Sequence, residues 1–397
     1  MSAFKISERV SYIGVNDRAT YRFEGMWPIP KGVSYNSYLV NGSEKSAIID
    51  GVELQHAYEQ IDEIKEILGG KAPDYLIINH MEPDHSGTIR ALRHAFPGIT
   101  IVGNAQTLAM VKGFYGEEGA TLAVKDGETL DLGGATLKFV LTPMVHWPET
   151  MMTYLEEEKT LFAGDAFGCF GALNGAVLDS ELELAPYMSE MVRYYSNIVG
   201  KYGQFVQRAL AKLKDTEIAT ICSTHGPVWR DNIPKVVEVY DTLSSYQPLD
   251  NGVTVVFGSM YGNTTRMVEA IVEALAAGGV RNIEVFNAGQ AEMSDMLAAA
   301  FRHRGLVIAS PTYSDGIFPP VAAFVDALAV RGLRNRELVV AGSFTWAPQA
   351  AKKILERLEG CGMTLAATPF TVKQNPSAEA LEVARESGKA LAEALAR

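Results

Sequence analysis

Residues 79–87 read Asn79-His80-Met81-Glu82-Pro83-Asp84-His85-Ser86-Gly87. His80, Glu82, Asp84 and His85 put four potential metal ligands into six positions of a chain with only seven histidines. Such side chains cannot all be buried core, because each would need a partner there. The apolar run Tyr75–Ile78 precedes them. The segment therefore reads as a loop at the carboxyl end of a strand, where open α/β folds place their sites. His146 follows the run Leu137–Leu141, Asp165 follows Thr160–Phe162, and His225 follows Ile218–Cys222. Taken singly, a histidine at a strand end is usually a hydrogen-bonded structural residue, and an aspartate there a turn or cap. The recurrence of seven ligand-type residues in one architectural position points instead to a metal site. Imidazole and carboxylate together suit iron, and zinc accepts the same ligands. The remaining histidines, His56, His94 and His303, lie in polar stretches and read as solvated.

A second set of strand-end loops lies beyond residue 250. The apolar run Val253–Phe257 leads into Gly258-Ser259-Met260-Tyr261-Gly262-Asn263-Thr264-Thr265, which opens a helix. Hydroxyls and backbone N–H groups at such a turn form an anion nest, helped by the helix N-terminus. Gly262 permits the tight turn. No Gly-Lys-Ser/Thr follows, so this is not a Walker loop. Ser310-Pro311-Thr312-Tyr313-Ser314-Asp315-Gly316 follows Gly305–Ala309, and Ser343-Phe344-Thr345-Trp346-Ala347 follows Glu337–Ala341 and Gly342.

The elements that must position these loops are short β-like runs alternating with helical patterns, which indicates an α/β architecture. Helices are expected at His56–Leu68, Gly87–Ala95 and across Ala185–Lys214. Ser244–Gly252 reads as a linker, and the pattern restarts after it. Strands at Val253–Phe257, Ile283–Phe286, Gly305–Ala309, Glu337–Ala341 and Thr364–Thr368, with helices at Thr264–Ala277 and Ser377–Ala396, have the proportions of a doubly wound parallel sheet. Two domains, 1–249 and 250–397, are expected.

Composition narrows the function. The chain has 397 residues, 47% hydrophobic and 21% charged, as an ordinary globular protein does. Residues 1–249 carry a net −11 and residues 250–397 a net −1. An acidic N-terminal half argues against nucleic acid as partner. No apolar run is long enough to span a membrane, and no signal pattern opens the chain. Cys169, Cys222 and Cys361 are too widely spaced for a disulfide framework or a Cys-rich metal site, and read as buried thiols in a reducing cytoplasm.

His-x-Glu-x-Asp-His followed by His, Asp and His at these separations resembles the flavodiiron protein family, a variant of the metallo-β-lactamase fold. Glu82 stands where hydrolases of that fold have a second His. The resemblance covers essentially the whole chain. It implies an N-terminal metallo-β-lactamase-like αββα domain and a C-terminal flavodoxin-like, doubly wound parallel sheet. By resemblance His80, Glu82 and His146 bind one iron, Asp84, His85 and His225 the other, and Asp165 bridges. Three carboxylates supply −3 against the +4 of two ferrous ions, so one bridging hydroxide would neutralise the site. Metal identity rests on the resemblance more than on ligand chemistry. Ser259–Thr264 would hold the phosphate of FMN. Ser310–Gly316 and Ser343–Ala347 would frame its ring, with Tyr313 and Trp346 as the aromatic contacts. Tyr195 is a candidate to support the metal ligands.

The function implied is an oxidoreductase in which FMN passes electrons to the diiron site, which reduces O₂ to water, NO to N₂O, or both. The donor would be rubredoxin or a reductase. With no Cys-x-x-Cys pair in this chain, any rubredoxin would be a separate protein. A head-to-tail homodimer, alone or paired into a dimer of dimers, would bring FMN of one subunit to the irons of the other. The alternative is a di-zinc hydrolase with a regulatory flavodoxin-like domain.

Overall fold

The structure is a computed structural model and describes residues 4–397. The chain divides into two compact units, residues 1–194 with 204–241, and residues 195–203 with 242–397. It therefore passes between units more than once. The helical region expected across Ala185–Lys214 changes type where this happens. Leu184–Tyr194 is α-helical, Tyr195–Val199 is a π-turn, Gly200–Tyr202 a 3-10 turn, and Gly203–Leu213 α-helical again.

The first unit holds a seven-stranded and a five-stranded sheet. In the first, Ser46–Ile49, Tyr75–Ile77, Thr100–Gly103 and Thr121–Ala123 run parallel. Tyr38–Asn41 and Val10–Tyr12 extend it antiparallel. In the second, Thr136–Leu141, Met151–Leu155 and Thr160–Gly164 are antiparallel neighbours, and Thr220–Ser223 joins Thr160–Gly164 in parallel. The two sheets meet through side chains. The rings of Tyr38 and Phe162 lie 5.4 Å apart, and the Tyr38 hydroxyl donates to Ser223 O at 2.5 Å. Leu39, Ile48, Leu76 and Ile101 bury their side chains against the helices Ala57–Ile67 and Ile89–Ala95. Sheets covered in this way read as near-continuous apolar runs. A small hairpin, Arg22–Phe23 with Trp27–Pro28, stands apart from both sheets.

In the second unit, five parallel ranks lie in the order Ile283–Asn287, Asp250–Phe257, His303–Tyr313, Glu337–Phe344, and then Thr364–Leu365 with Phe370–Lys373. This is the 2-1-3-4-5 order of flavodoxin-like sheets, with its switch point between the first and third strands. The fifth rank differs from expectation. Instead of a continuous strand at Thr364–Thr368, Thr364 and Leu365 pair with Glu337 and Leu338, and Phe370–Lys373 pairs with Ala341–Phe344. The last helix, Ala378–Leu395, starts where Ser377 Oγ accepts from Ala380 N at 3.2 Å.

His303 is also not solvated, as its charged neighbours Arg302 and Arg304 had suggested. It is fully buried at the start of its strand. Asn282 Nδ2 donates to its Nε2 at 3.0 Å, so Nδ1 carries the proton and donates to Thr254 Oγ1 at 3.0 Å. Burial lowers its pKa to about 4, against the opposing charge of Asp250 and with Arg302 and Arg336 adding to the depression. His94, by contrast, is exposed. Among the described residues the three cysteines are buried free thiols, and no helix is long and apolar enough to cross a membrane.

Candidate functional site

Strand geometry brings all seven predicted ligands together in the first unit. The strand Tyr75–Ile77 ends, and its chain is held open by an aspartate: Asp50 Oδ1 accepts from Asn79 N at 2.7 Å and from His80 N at 3.3 Å. His80 then turns inward. Glu82 precedes the single helical turn Pro83–Ser86, which carries Asp84 and His85. His146, Asp165 and His225 arrive from the ends of strands in the second sheet. All seven are buried.

They form two groups. One ligand atom from each of His80, Glu82, His146 and Asp165 lies within 4.8 Å of the others, and the same holds for Asp84, His85 and His225. Asp165 faces both groups. Its Oδ2 is 3.1 Å from His146 Nε2 and 3.5 Å from His80 Nε2, while its Oδ1 is 2.8 Å from His85 Nε2 and 3.8 Å from His225 Nε2.

Outer partners aim two of the imidazoles. His80 Nδ1 donates to Glu149 Oε1 at 2.9 Å, and that oxygen also accepts from Met81 N at 2.9 Å. His225 Nδ1 donates to Ser34 O at 2.7 Å. With Nδ1 held by an outer acceptor, Nε2 is the nitrogen that each ring turns to the centre. Thr224 Oγ1 donates to Asp165 Oδ1 at 2.6 Å and fixes that carboxylate. Among the described residues His80 Nε2, His85 Nε2, His225 Nε2 and both Asp84 oxygens are buried without a hydrogen-bond partner. Unsatisfied ligand atoms clustered in this way fit a bound cation.

Electrostatics agree. Burial opposes the charged form of every group here, and the mutual attraction of carboxylates and imidazoles outweighs it. Asp165, Glu149 and Glu82 hold His80 well above its ordinary pKa. Asp84 and Asp165 raise His85 to about 9, and Asp165 and Glu82 raise His146 to about 9. The imidazoles in turn hold Glu82 and Asp165 far below the usual carboxylate range.

Aromatic side chains close the centre. Phe23 and Tyr194 stand 5.3 and 5.5 Å from the His225 ring, and Trp147 stands 5.2 Å from His80. Tyr195, the expected supporting tyrosine, belongs to the second unit and packs on Phe301 at 6.2 Å. The helix ends at Tyr194, and Tyr195 opens the π-turn.

A separate pocket of 470 Å³ lies in the second unit at the switch point. Ser259, Met260, Tyr261, Asn263 and Thr264 line one wall, Pro311, Thr312 and Tyr313 another, and Ser343 through Ala347 the third. Thr264 Oγ1 and Ser343 Oγ are 2.9 Å apart and join two of the three loops. Three predicted residues do not line it and act on the loops instead. Gly262 takes φ +88° and donates its N–H to Ser259 Oγ at 3.1 Å. Ser310 Oγ accepts from Phe318 N at 3.0 Å, and Gly316 pairs with Tyr313 in a tight hairpin. Ser314 and Gln374 line the pocket as well. Gln374 follows the strand Phe370–Lys373, so correct placement of that strand would have found it. The described residues of the lining include no Lys or Arg, which leaves hydroxyls, backbone N–H groups and the helix N-terminus to receive an anion.

Asp50 and Glu149 escaped the sequence reading. Asp50 lies just past the strand Ser46–Ile49, the same position that marked the ligands, and Glu149 lies three residues after His146.

Comparisons with known proteins agree with both halves. Residues 33–226 match the family described as ODP family beta lactamase, and residues 255–388 match flavodoxin. The anaerobic nitric oxide reductase flavorubredoxin of Escherichia coli O1:K1 is 30% identical over 394 residues, covering 98% of this chain and 81% of that protein. The rubredoxin oxygen:oxidoreductase of Desulfovibrio gigas superposes with a TM-score of 0.94 at 29% identity, covering 99% of this chain and 98% of that one. The flavodiiron protein of Giardia intestinalis does so with a TM-score of 0.94 at 29% identity, covering 100% and 97%. The chain belongs to the flavodiiron protein family, two-domain oxidoreductases that pair a diiron site with FMN.

Proposed function

We propose that His80, Glu82 and His146 hold one iron, that Asp84, His85 and His225 hold the other, and that Asp165 joins them. The observation that carries this reading is the placement of Asp165, which turns one oxygen to each group. The donor set also fits: imidazole and carboxylate suit iron, and three carboxylates offset most of the charge of two ferrous ions. Ser259–Thr264 receive the FMN phosphate at the helix N-terminus, and Tyr313 and Trp346 flank its ring. Together the bound cofactors supply electron transfer and the reduction of O₂ to water, of NO to N₂O, or both.

The chain's own residues bind, orient and shield. Glu149 and Ser34 fix the ring orientation of His80 and His225, and Thr224 fixes Asp165. Phe23, Tyr194 and Trp147 keep bulk water from the ligands. Relatives named for nitric oxide reduction and for rubredoxin-linked oxygen reduction support both substrates and a rubredoxin or reductase as donor. Relatives of this kind also disfavour the di-zinc hydrolase reading.

Assembly follows as a head-to-tail homodimer. Tyr261 is 89% exposed and Trp346 86% exposed at the rim of the FMN pocket, aromatic surface of the kind a partner covers. Three buried free thiols fit a reducing cytoplasm. The boundary expected at 249/250 falls inside the second compact unit, which the chain enters for the last time at Thr242.

The test is metal and flavin analysis followed by anaerobic reduction and separate exposure to O₂ and NO. About two irons and one FMN per chain with turnover of at least one gas is the expected result. Stoichiometric zinc without redox-active metal defeats the iron assignment. A chain carrying His80→Ala with His146→Ala, mixed with a chain lacking the phosphate loop, should regain activity in the mixed dimer. Mixed dimers without activity defeat the head-to-tail arrangement.

A further inference from the structure

One wall of the pocket in the second unit is a hairpin whose turn its own residues do not favour. Thr312 pairs with Ile317 and Tyr313 with Gly316, which leaves Ser314 and Asp315 as a two-residue turn. Both take positive φ, +46° and +58°. Such turns usually contain Asn-Gly, Asp-Gly or Gly-Gly, because the left-handed region crowds the Cβ of other residues. Ser314 nevertheless lines the pocket together with Thr312 and Tyr313.

The helix Ala350–Leu358 holds this hairpin at two points. At its start, Thr312 Oγ1 accepts from Gln349 N at 3.1 Å and from Ala350 N at 3.2 Å. One turn further on, Lys353 Nζ donates to Asp315 O, and Asp315 Oδ2 lies 3.9 Å from the same ammonium. Ala350 and Lys353 are three positions apart and so share a helix face. Lys353 does not line the pocket and reaches it only through the turn. Its neighbour Lys352 is exposed and pairs instead with Glu356, at 3.7 Å.

We infer that Lys353 is a positioning residue for the flavin: by holding the carbonyl of Asp315 it keeps the strained turn in place, and the fixed turn raises the reduction potential of bound FMN. The inference rests on the reading above in which Ser310–Gly316 frame the flavin ring. Polar groups fixed in advance around a site stabilise charge that develops there without having to reorganise. Reduction adds an electron, supplied by the protein's donor, to the ring. Hydrogen bonds to a charged partner are roughly twice as strong as those between neutral groups. A wall free to move therefore costs the reduced flavin more than the oxidised one. No bond of the chain forms or breaks in the process.

The test uses the full chain with its FMN, titrated potentiometrically without oxygen and followed by flavin absorbance. Lys353→Met should weaken binding of reduced relative to oxidised FMN about tenfold, which lowers the one-electron potential by about 59 mV. Lys352→Met removes the same charge from the same helix and should leave the potential unchanged. Ser314→Asn with Asp315→Gly supplies a turn that adopts this conformation unaided. In that background Lys353→Met should no longer shift the potential. If Lys353→Met alone loses FMN altogether, the Asn-Gly turn should restore it. An unshifted potential in Lys353→Met overturns the inference, and so does failure of the Asn-Gly turn to restore lost FMN. A shift that persists in the Asn-Gly background, or an equal shift in Lys352→Met, overturns it as well, since charge alone would then be the cause. A flavin spectrum unaltered by Tyr313→Ala with Trp346→Ala is a different result and brings down the reading that these loops frame the ring.

Discussion

Glu149 touches no metal-binding atom, yet its removal should be felt at the metal. One of its oxygens accepts two buried bonds, from His80 Nδ1 and from Met81 N, each at 2.9 Å. Glu149→Gln keeps an oxygen able to accept both and removes the charge. Glu149→Ala removes the acceptor altogether and leaves two buried donors unpaired, each costing about 1–3 kcal/mol. It also frees the His80 ring to turn. Loss of such outer partners typically weakens metal binding 10–100-fold, and each factor of ten is about 1.4 kcal/mol. The Gln variant should therefore bind about tenfold more weakly and the Ala variant about 100-fold more weakly. Competition between metal-free protein and a chromophoric chelator for Co²⁺ measures both. The Ala variant should in addition melt at lower temperature even without metal, which separates the unpaired donors from the metal effect. Normal affinity in the Ala variant would show that His80 needs no orienting partner, and the argument from its Nδ1 bond would fail.

Two further outcomes are expected. Gly262→Val should weaken FMN binding by about tenfold, because φ +88° costs a non-glycine residue roughly 1–2 kcal/mol or more; metal content should not change, and dialysed protein that keeps its full complement of flavin contradicts this. His303 titrates near 4 in the folded protein, against about 6.5 when unfolded. Between those values the unfolded chain binds more protons, so stability should fall as pH drops from about 6.5 towards 4, by up to about 3 kcal/mol. Denaturant melts of the unaltered protein and of His303→Gln at several pH values check this, and equal slopes for the two would refute it.

Much of the site was legible because the fold uses one position repeatedly. His80, His146, Asp165 and His225 all lie just beyond strands, and a run of apolar residues ending in a polar one is visible in sequence. What the sequence concealed was of two kinds. Partners joined over long separations left no local mark: His80 and Glu149 are 69 positions apart, and Ser34 and His225 are 191 apart. Irregular elements carry no periodicity. The Arg22–Phe23/Trp27–Pro28 hairpin has only two residue pairs, and the fifth rank of the second sheet is split, which displaced the loop bearing Gln374. His303 misled for another reason. Its sequence neighbours are charged, but alternation along a strand turns successive side chains to opposite faces, so charged neighbours say nothing of its own burial.

The membership of residues 195–203 in the second unit bears on how this protein can be cut or shuffled. Arg331 donates from Nε to Ser196 O at 2.8 Å and from Nη2 to Asn197 O at 3.0 Å, and Asn197 Nδ2 donates to Ser294 O at 3.2 Å. Tyr195 covers Phe301. A gene fragment starting at residue 242 would carry Arg331, Ser294 and Phe301 without the peptide they hold. It would gain an apolar scar and lose three bonds in one stroke. The flavodoxin-like half is thus not a free cassette. Exchanging it between relatives requires transplanting a short stretch from the middle of the other half, so recombination at a single crossover yields chimaeras mismatched at that stretch.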